Sequence, residues 1–246
     1  MFRLTSIIAI FALALGLTTE SRASHKVRFR VRLENITKGE ILRSSTGKTA
    51  PLAIAPGLWV VATTNAPIFK TGQKDRGQGL ETLAEDGNPV PLSESLKKAK
   101  GVVSAGSYNT PVGAAQPGPI APGAAFEFSI EAVQGEKLFL ANMWGQSNDL
   151  FYGTNELGID LFDAKDKPLS GNITDMIFLY DAGTEVNEEP GFGPNQGPRQ
   201  SAPNTGIDEN GAVRPVLDGK WMYPTVGETI RVTITPAESS AMGMSR

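Results

Sequence analysis

Lys26 to Ile36 reads KVRFRVRLENI. Val27, Phe29, Val31 and Leu33 alternate with Arg28, Arg30, Arg32 and Glu34, and this period of two predicts a strand with one face buried and one in water. The same reading recurs in two other places. Ala124 to Ala132 (AAFEFSIEA) sets Phe126, Phe128 and Ile130 against Glu127, Ser129 and Glu131, and Thr229 to Thr235 (TIRVTIT) repeats it with Ile230, Val232 and Ile234. Leu58 to Thr63 (LWVVAT), Lys137 to Met143 (KLFLANM) and Met176 to Tyr180 (MIFLY) are shorter apolar strands. Short strands separated by Gly, Pro and Asn clusters predict an all-β chain folded as an antiparallel β-sandwich. Helix is scarce. Gly79 to Asp86 is expected to form two turns ended by Gly87, and Leu92 to Lys100 a second short helix capped by Ser93, both inserted between strands.

Two stretches resist either period. Pro111 to Gly123, rich in Pro, Gly and Ala, is expected to be a flexible crossover. Asn187 to Gly211 has almost no apolar residue beyond Phe192 and Ile207. A loop of that length is either functional or a solvated excursion.

The first residues read as an address. Arg3 supplies a positive start, Ile7 to Leu17 is an uncharged apolar run, and Ser21-Arg22-Ala23 offers small residues for cleavage. The expectation is a signal peptide over 1–23, one domain over 24–238 and a frayed tail over 239–246. The run is shorter than the roughly 20 apolar residues of a membrane span, so no span is expected in the mature chain. Export places the protein in the periplasm or outside the cell. Export also permits disulfides, but the chain has no cysteine, so the fold must rest on its core and any bound ion.

Composition excludes several classes of chemistry. Net charge is −3, without a Lys/Arg cluster, which argues against nucleic acid. The single histidine, His25, stands at the expected mature terminus and leaves no histidine base or imidazole metal site. No G-x-S-x-G elbow or phosphate-binding glycine loop follows a strand, and Gly191-Phe192-Gly193 reads as turn punctuation. Trp59, Trp144 and Trp221 read as core or edge packing; sugar stacking by Trp221 and Tyr223 is the alternative.

The strongest local chemistry is acidic. Ser147-Asn148-Asp149 precedes an aromatic strand start, and Asp181-Ala182-Gly183-Thr184-Glu185 follows the strand MIFLY. Asp181 and Glu185, with a glycine turn between them, can converge on one hard cation such as Ca²⁺, with Asp149 completing the site. Two other readings stay open. Aspartates in turns often only form the turn. Paired carboxylates drawn from Asp149, Asp160, Asp163, Asp181 and Glu185 also suit glycan hydrolysis.

The chain resembles the spondin N-terminal domain family, the F-spondin and mindin type domain that also occurs as a stand-alone exported bacterial protein. The resemblance runs through FRVRLENIT, PGLWVVATTNAPIF, GLETLAEDGNPVPL, the Ser147 to Gly153 segment, LYDAGTE and YPTVGETIRVTITP. It implies a C2-like sandwich with one structural Ca²⁺ held by end loops, with Asp149, Asp181 and Glu185 at the ligand positions. It implies no catalytic residues, and an adhesion or ligand-binding role toward a protein receptor or glycan. The chain departs from the family in lacking the proline and tryptophan of the aspartate segment, and in carrying Glu185 where an aspartate is usual.

Overall fold

The computed structural model describes residues 25–216 and 219–237. The expected signal peptide over 1–23 and the tail over 239–246 lie outside the described residues. The strands, in chain order, are β1 (Val27–Asn35), β2 (Leu42–Arg43), β3 (Thr49–Ala50), β4 (Ile54–Ala62), β5 (Val102–Tyr108), β6 (Ala125–Ala132), β7 (Lys137–Trp144), β8 (Leu150–Thr154), β9 (Ile159–Asp160), β10 (Gly171–Asn172), β11 (Ile177–Asp181), β12 (Arg214–Pro215) and β13 (Ile230–Pro236). Among the described residues, three short α-helices are inserted between them: α1 (Leu80–Asp86), α2 (Val90–Leu96) and α3 (Val226–Thr229).

The alternation of β1 survives folding: Val27, Phe29, Val31 and Leu33 are buried, while Arg28 and Arg30 are exposed. β1 is one of the two inner strands of a four-stranded sheet, order β10-β13-β1-β6, and pairs antiparallel with β13 and β6. On its wet face Arg28 meets Glu131 at 2.8 Å and Arg32 meets Glu127 at 3.6 Å, cross-strand pairs that fix register more than they add stability.

The second sheet has the order β12-β11-β8-β7-β4-β5, with β9 pairing β7 at its far end. The two sheets face each other over one core. Phe29, Val31, Leu33, Phe126, Ile130, Val232 and Ile234 come from the small sheet, and Ile54, Val61, Leu138, Leu140, Trp144, Leu150 and Tyr152 from the large one. The large sheet is buried on its other face as well. There Leu58, Val60, Phe139, Ala141, Phe151 and Tyr180 pack against Leu80, Leu83 and Ala84 of α1 and Leu92 and Leu96 of α2. A strand covered on both faces has no reason to alternate, which explains why every β7 residue from Leu138 to Trp144 is buried, Asn142 included.

Local chemistry sets the helix bounds. α1 ends at Gly87, whose φ of 65° lets its N–H and that of Asn88 satisfy the last carbonyls. α2 starts at Val90, earlier than the sequence reading, because Pro89 supplies a φ already suited to a helix start. Ser93 is therefore inside the helix, its hydroxyl donating to the Val90 carbonyl, and does not cap it. α3 was not foreseen; it is one turn held by a reciprocal Thr225–Glu228 capping box ahead of β13. Among the described residues, no helix is long and apolar enough to cross a membrane.

Candidate metal centre

The site is built at the end of the large sheet where β7 turns into β8. Ser147 holds that turn: its hydroxyl donates to the Trp144 carbonyl at 2.7 Å and accepts from the Leu150 N–H at 3.0 Å. Asp149 is thereby fixed one residue before β8. β11 lies beside β8 with Asp181 opposite Leu150, and the Ala182 N–H donates to the Asp149 carbonyl at 3.1 Å. Strand register therefore brings the two aspartates together.

The segment after β11 wraps back over Asp149. The Thr184 and Glu185 N–H groups donate to its Oδ2 at 2.8 and 3.2 Å. The 187–211 loop returns antiparallel to this segment, with Val186 donating to Ile207, Glu209 to Thr184 and Gly211 to Gly183. That return carries Glu209 into the site. The loop is anchored as well: Gln196 is wholly buried and donates to the Glu189 carbonyl at 2.9 Å, and Arg199 donates to Gln146 Oε1 at 3.2 Å.

Carboxylate oxygens of Asp149, Asp181 and Glu209 lie within 4.8 Å of one another. Asp181 is well served: Gly183 N–H donates to Oδ1 at 2.8 Å, and Asn187 Nδ2 and Arg214 Nη2 donate to Oδ2 at 2.5 and 2.8 Å. The same Arg214 nitrogen reaches the Glu209 carboxylate at 2.8 Å. Asp149 is different. It is 0% exposed, and its Oδ1 has no hydrogen-bond partner among the described residues.

Electrostatics follow from this packing. Burial first, and then the charges of Asp181 and Glu209, push the Asp149 carboxyl up to about 7, against the two N–H bonds that favour its charged form. Burial also holds Asp181 above its ordinary value and outweighs the Arg214 guanidinium beside it.

Glu185 is placed beside this group and outside it. Its N–H serves Asp149, but its buried carboxylate accepts from Asn148 Nδ2 at 3.3 Å and leaves no room for a side chain at Gly206. Nearby on α1 is Glu85, 2% exposed, with neither oxygen in a well-formed hydrogen bond among the described residues; the Thr184 side chain is close enough to favour its charged form. Burial, and then the charges of Glu185, Glu81 and Asp149, nevertheless push Glu85 up to about 8.

This raised value fixes the sign of a pH effect. Between its ordinary value of 4.5 and about 8, folded Glu85 holds a proton that the unfolded chain has shed. Its contribution is thus greatest at low pH and is lost as pH rises toward 8. In chelator at pH 8 and above, Glu85→Gln is expected to be more stable than the parent by on the order of 2–4 kcal/mol. Urea denaturation between pH 5 and 9 checks this, and parallel pH curves for the two proteins would remove the effect.

Asp160 and Asp163 do not join the group. Asp160 pairs with Lys137 at 2.7 Å, at the opposite end of β7, and Asp163 accepts the N–H groups of Lys165 and Lys167 to close a turn. Trp144 is wholly buried and meets Tyr223 edge-on at 6.4 Å, while Trp59 stacks on Phe128 at the same separation, so both tryptophans pack the sandwich. Lys220 lies 4.8 Å over the Trp221 ring.

The sequence reading missed Glu209, Glu85 and Arg214. Glu209 lies beyond a long loop with no periodicity, and only the Asn210-Gly211 turn signal beside it marks where that loop reverses. The chain matches no protein-family model and no curated protein significantly.

Proposed function

We propose that the protein is an exported, non-enzymatic Ca²⁺-binding β-sandwich domain of the spondin N-terminal type, with an adhesion or ligand-binding role. One observation carries the ion: Asp149 is wholly buried with its Oδ1 unpartnered among the described residues, and it clusters with two further carboxylates. A charged carboxylate in that position costs free energy unless a cation meets it or a proton neutralises it.

The donors fit a hard cation. All three are carboxylate oxygens, with no soft ligand among them, and their separations can be spanned with little contraction by an ion with roughly 2.3–2.6 Å bonds to oxygen. Asp149, Asp181 and Glu209 would hold it. Glu185, the ligand suggested by its spacing from Asp181 and by the resemblance, and Glu85 would stand behind Thr184 as an outer acidic pair. The ion would join three separate pieces of chain: the β7–β8 turn, the end of β11 and the returning loop.

A groove of about 520 Å³ opens on the outer side of this loop, lined by Asp75, Glu81, Thr184, Asn204 and Asp208 among others. It gives the ion-bearing segment a polar surface for a partner. Hydrolysis has less support, since Asp149 is closed to substrate and Asp160 and Asp163 lie elsewhere.

Ca²⁺ at 100 times its dissociation constant stabilises a folded protein by about 2.7 kcal/mol, or about 5–10 °C in a domain of this size. The mature protein is expected to melt higher by that amount in millimolar Ca²⁺ than in EDTA. Identical melting curves, together with no heat of Ca²⁺ binding, would overturn the proposal.

A further inference from the structure

We infer that Arg214 is the internal counter-ion of the acidic cluster and sets how tightly the cluster takes a divalent cation. The inference rests on the Ca²⁺ reading above and adds the residue that tunes it. Arg214 Nη2 lies 2.8 Å from Asp181 Oδ2 and 2.8 Å from the Glu209 carboxylate, so one nitrogen bridges two of the three acids. Its position is built in: Arg214 is opposite Asp181 in the β11–β12 pairing. The Glu209 bond is the first cause, ahead of the charges of Asp181, Glu209 and Asp149, that holds the guanidinium above its ordinary value.

The bridge has a consequence for binding. A divalent ion reaching Asp149, Asp181 and Glu209 enters within a few ångströms of a positive charge that solvent screens only in part. Arg214 must swing outward or its charge must be tolerated, and either weakens binding. The side chain is 40% exposed, so an outward path exists. Without the ion, the same guanidinium keeps Asp181 and Glu209 from repelling each other. The cluster therefore exchanges one cation for another, and the ion-free loops stay ordered.

The test is calorimetric titration of Ca²⁺ into the mature protein, with melting temperatures in EDTA and in saturating Ca²⁺. Arg214→Gln is expected to bind Ca²⁺ roughly tenfold or more tightly than the parent, because a nearby like charge is removed. It is also expected to melt lower than the parent in EDTA and to recover that loss in Ca²⁺. Arg214→Lys keeps the charge on a single-point donor and is expected to stay within a few-fold of the parent affinity. Equal or weaker Ca²⁺ binding by Arg214→Gln, with the parent still binding, overturns the counter-ion role and leaves the ion reading intact. No binding by either protein overturns the ion reading itself.

Discussion

Asp149→Asn is expected to abolish Ca²⁺ binding while leaving the ion-free protein at least as stable as the parent. The two consequences separate because the Asp149 carboxylate has two different oxygens. Oδ2 accepts from the Thr184 and Glu185 N–H groups, an arrangement the amide oxygen of asparagine reproduces. Oδ1 has no partner among the described residues, and the carboxyl group as a whole feels the charges of Asp181 and Glu209. Replacing it with an amide N–H removes a buried like charge and supplies a donor to acidic neighbours. Asp149→Ala removes both oxygens and strands two backbone donors, at about 1–3 kcal/mol for each one left buried. In EDTA the expected stability order is therefore Asn at or above the parent, and Ala well below. In Ca²⁺ the parent alone gains. Urea denaturation in the two conditions measures all six values, and parent-like Ca²⁺ affinity in Asp149→Asn would sink the ligand assignment.

The raised Asp149 value gives the same site a pH signature. The ion needs the carboxylate charged, so as pH falls through the raised Asp149 value a growing share of bound Ca²⁺ must displace a proton. Affinity is expected to fall with pH there, and binding at pH 6 to release protons to the buffer. The ion-free protein behaves oppositely. A folded carboxyl with a raised value stabilises the fold at low pH and loses that contribution as pH rises toward 7.

How far the sequence is legible depends on how local the cause is. β1 can be read from Val27, Phe29, Val31 and Leu33 because one face meets the core and the other meets water. β5 cannot: its stretch VVSAGSY is an edge strand, and Gly106 is there because the Trp59 ring leaves no room for a side chain. Asp149 and Asp181 stand at strand ends whose pairing is fixed by hydrophobic register, so two of the three clustered acids are visible in advance. Glu209 and Arg214 arrive by tertiary return of a loop lacking periodicity. Glu85 is hidden differently, sharing the i, i+4 row of α1 with Glu81, which looks like a solvated flank until the β11 loop covers it.

Gly183→Ala should be the most damaging single methyl at the site, and it tests whether loop apposition assembles the cluster. Gly183 has φ of 73°, where an L side chain costs roughly 1–2 kcal/mol. Its added Cβ would also stand 2.7 Å from Ala212 N and 2.8 Å from Ala212 O. Those are backbone atoms with no rotamer to change, so the 209–213 return must move away. The Gly211 N–H to Gly183 carbonyl bond goes with it, and so do Glu209 and Arg214. We expect a loss of about 3–5 kcal/mol, in the range of substitutions that force a buried backbone apart. The Ca²⁺ response should vanish although Asp149, Asp181 and Glu209 are all still present. Gly135→Ala is the control: its φ is 89°, but nothing lies within 4 Å of the added Cβ. It should show the conformational cost alone, near 1–2 kcal/mol, with parent-like Ca²⁺ affinity. If Gly183→Ala also binds Ca²⁺ like the parent, the returning loop does not contribute a ligand, and the ion must be held by the β7–β8 turn and β11 without Glu209.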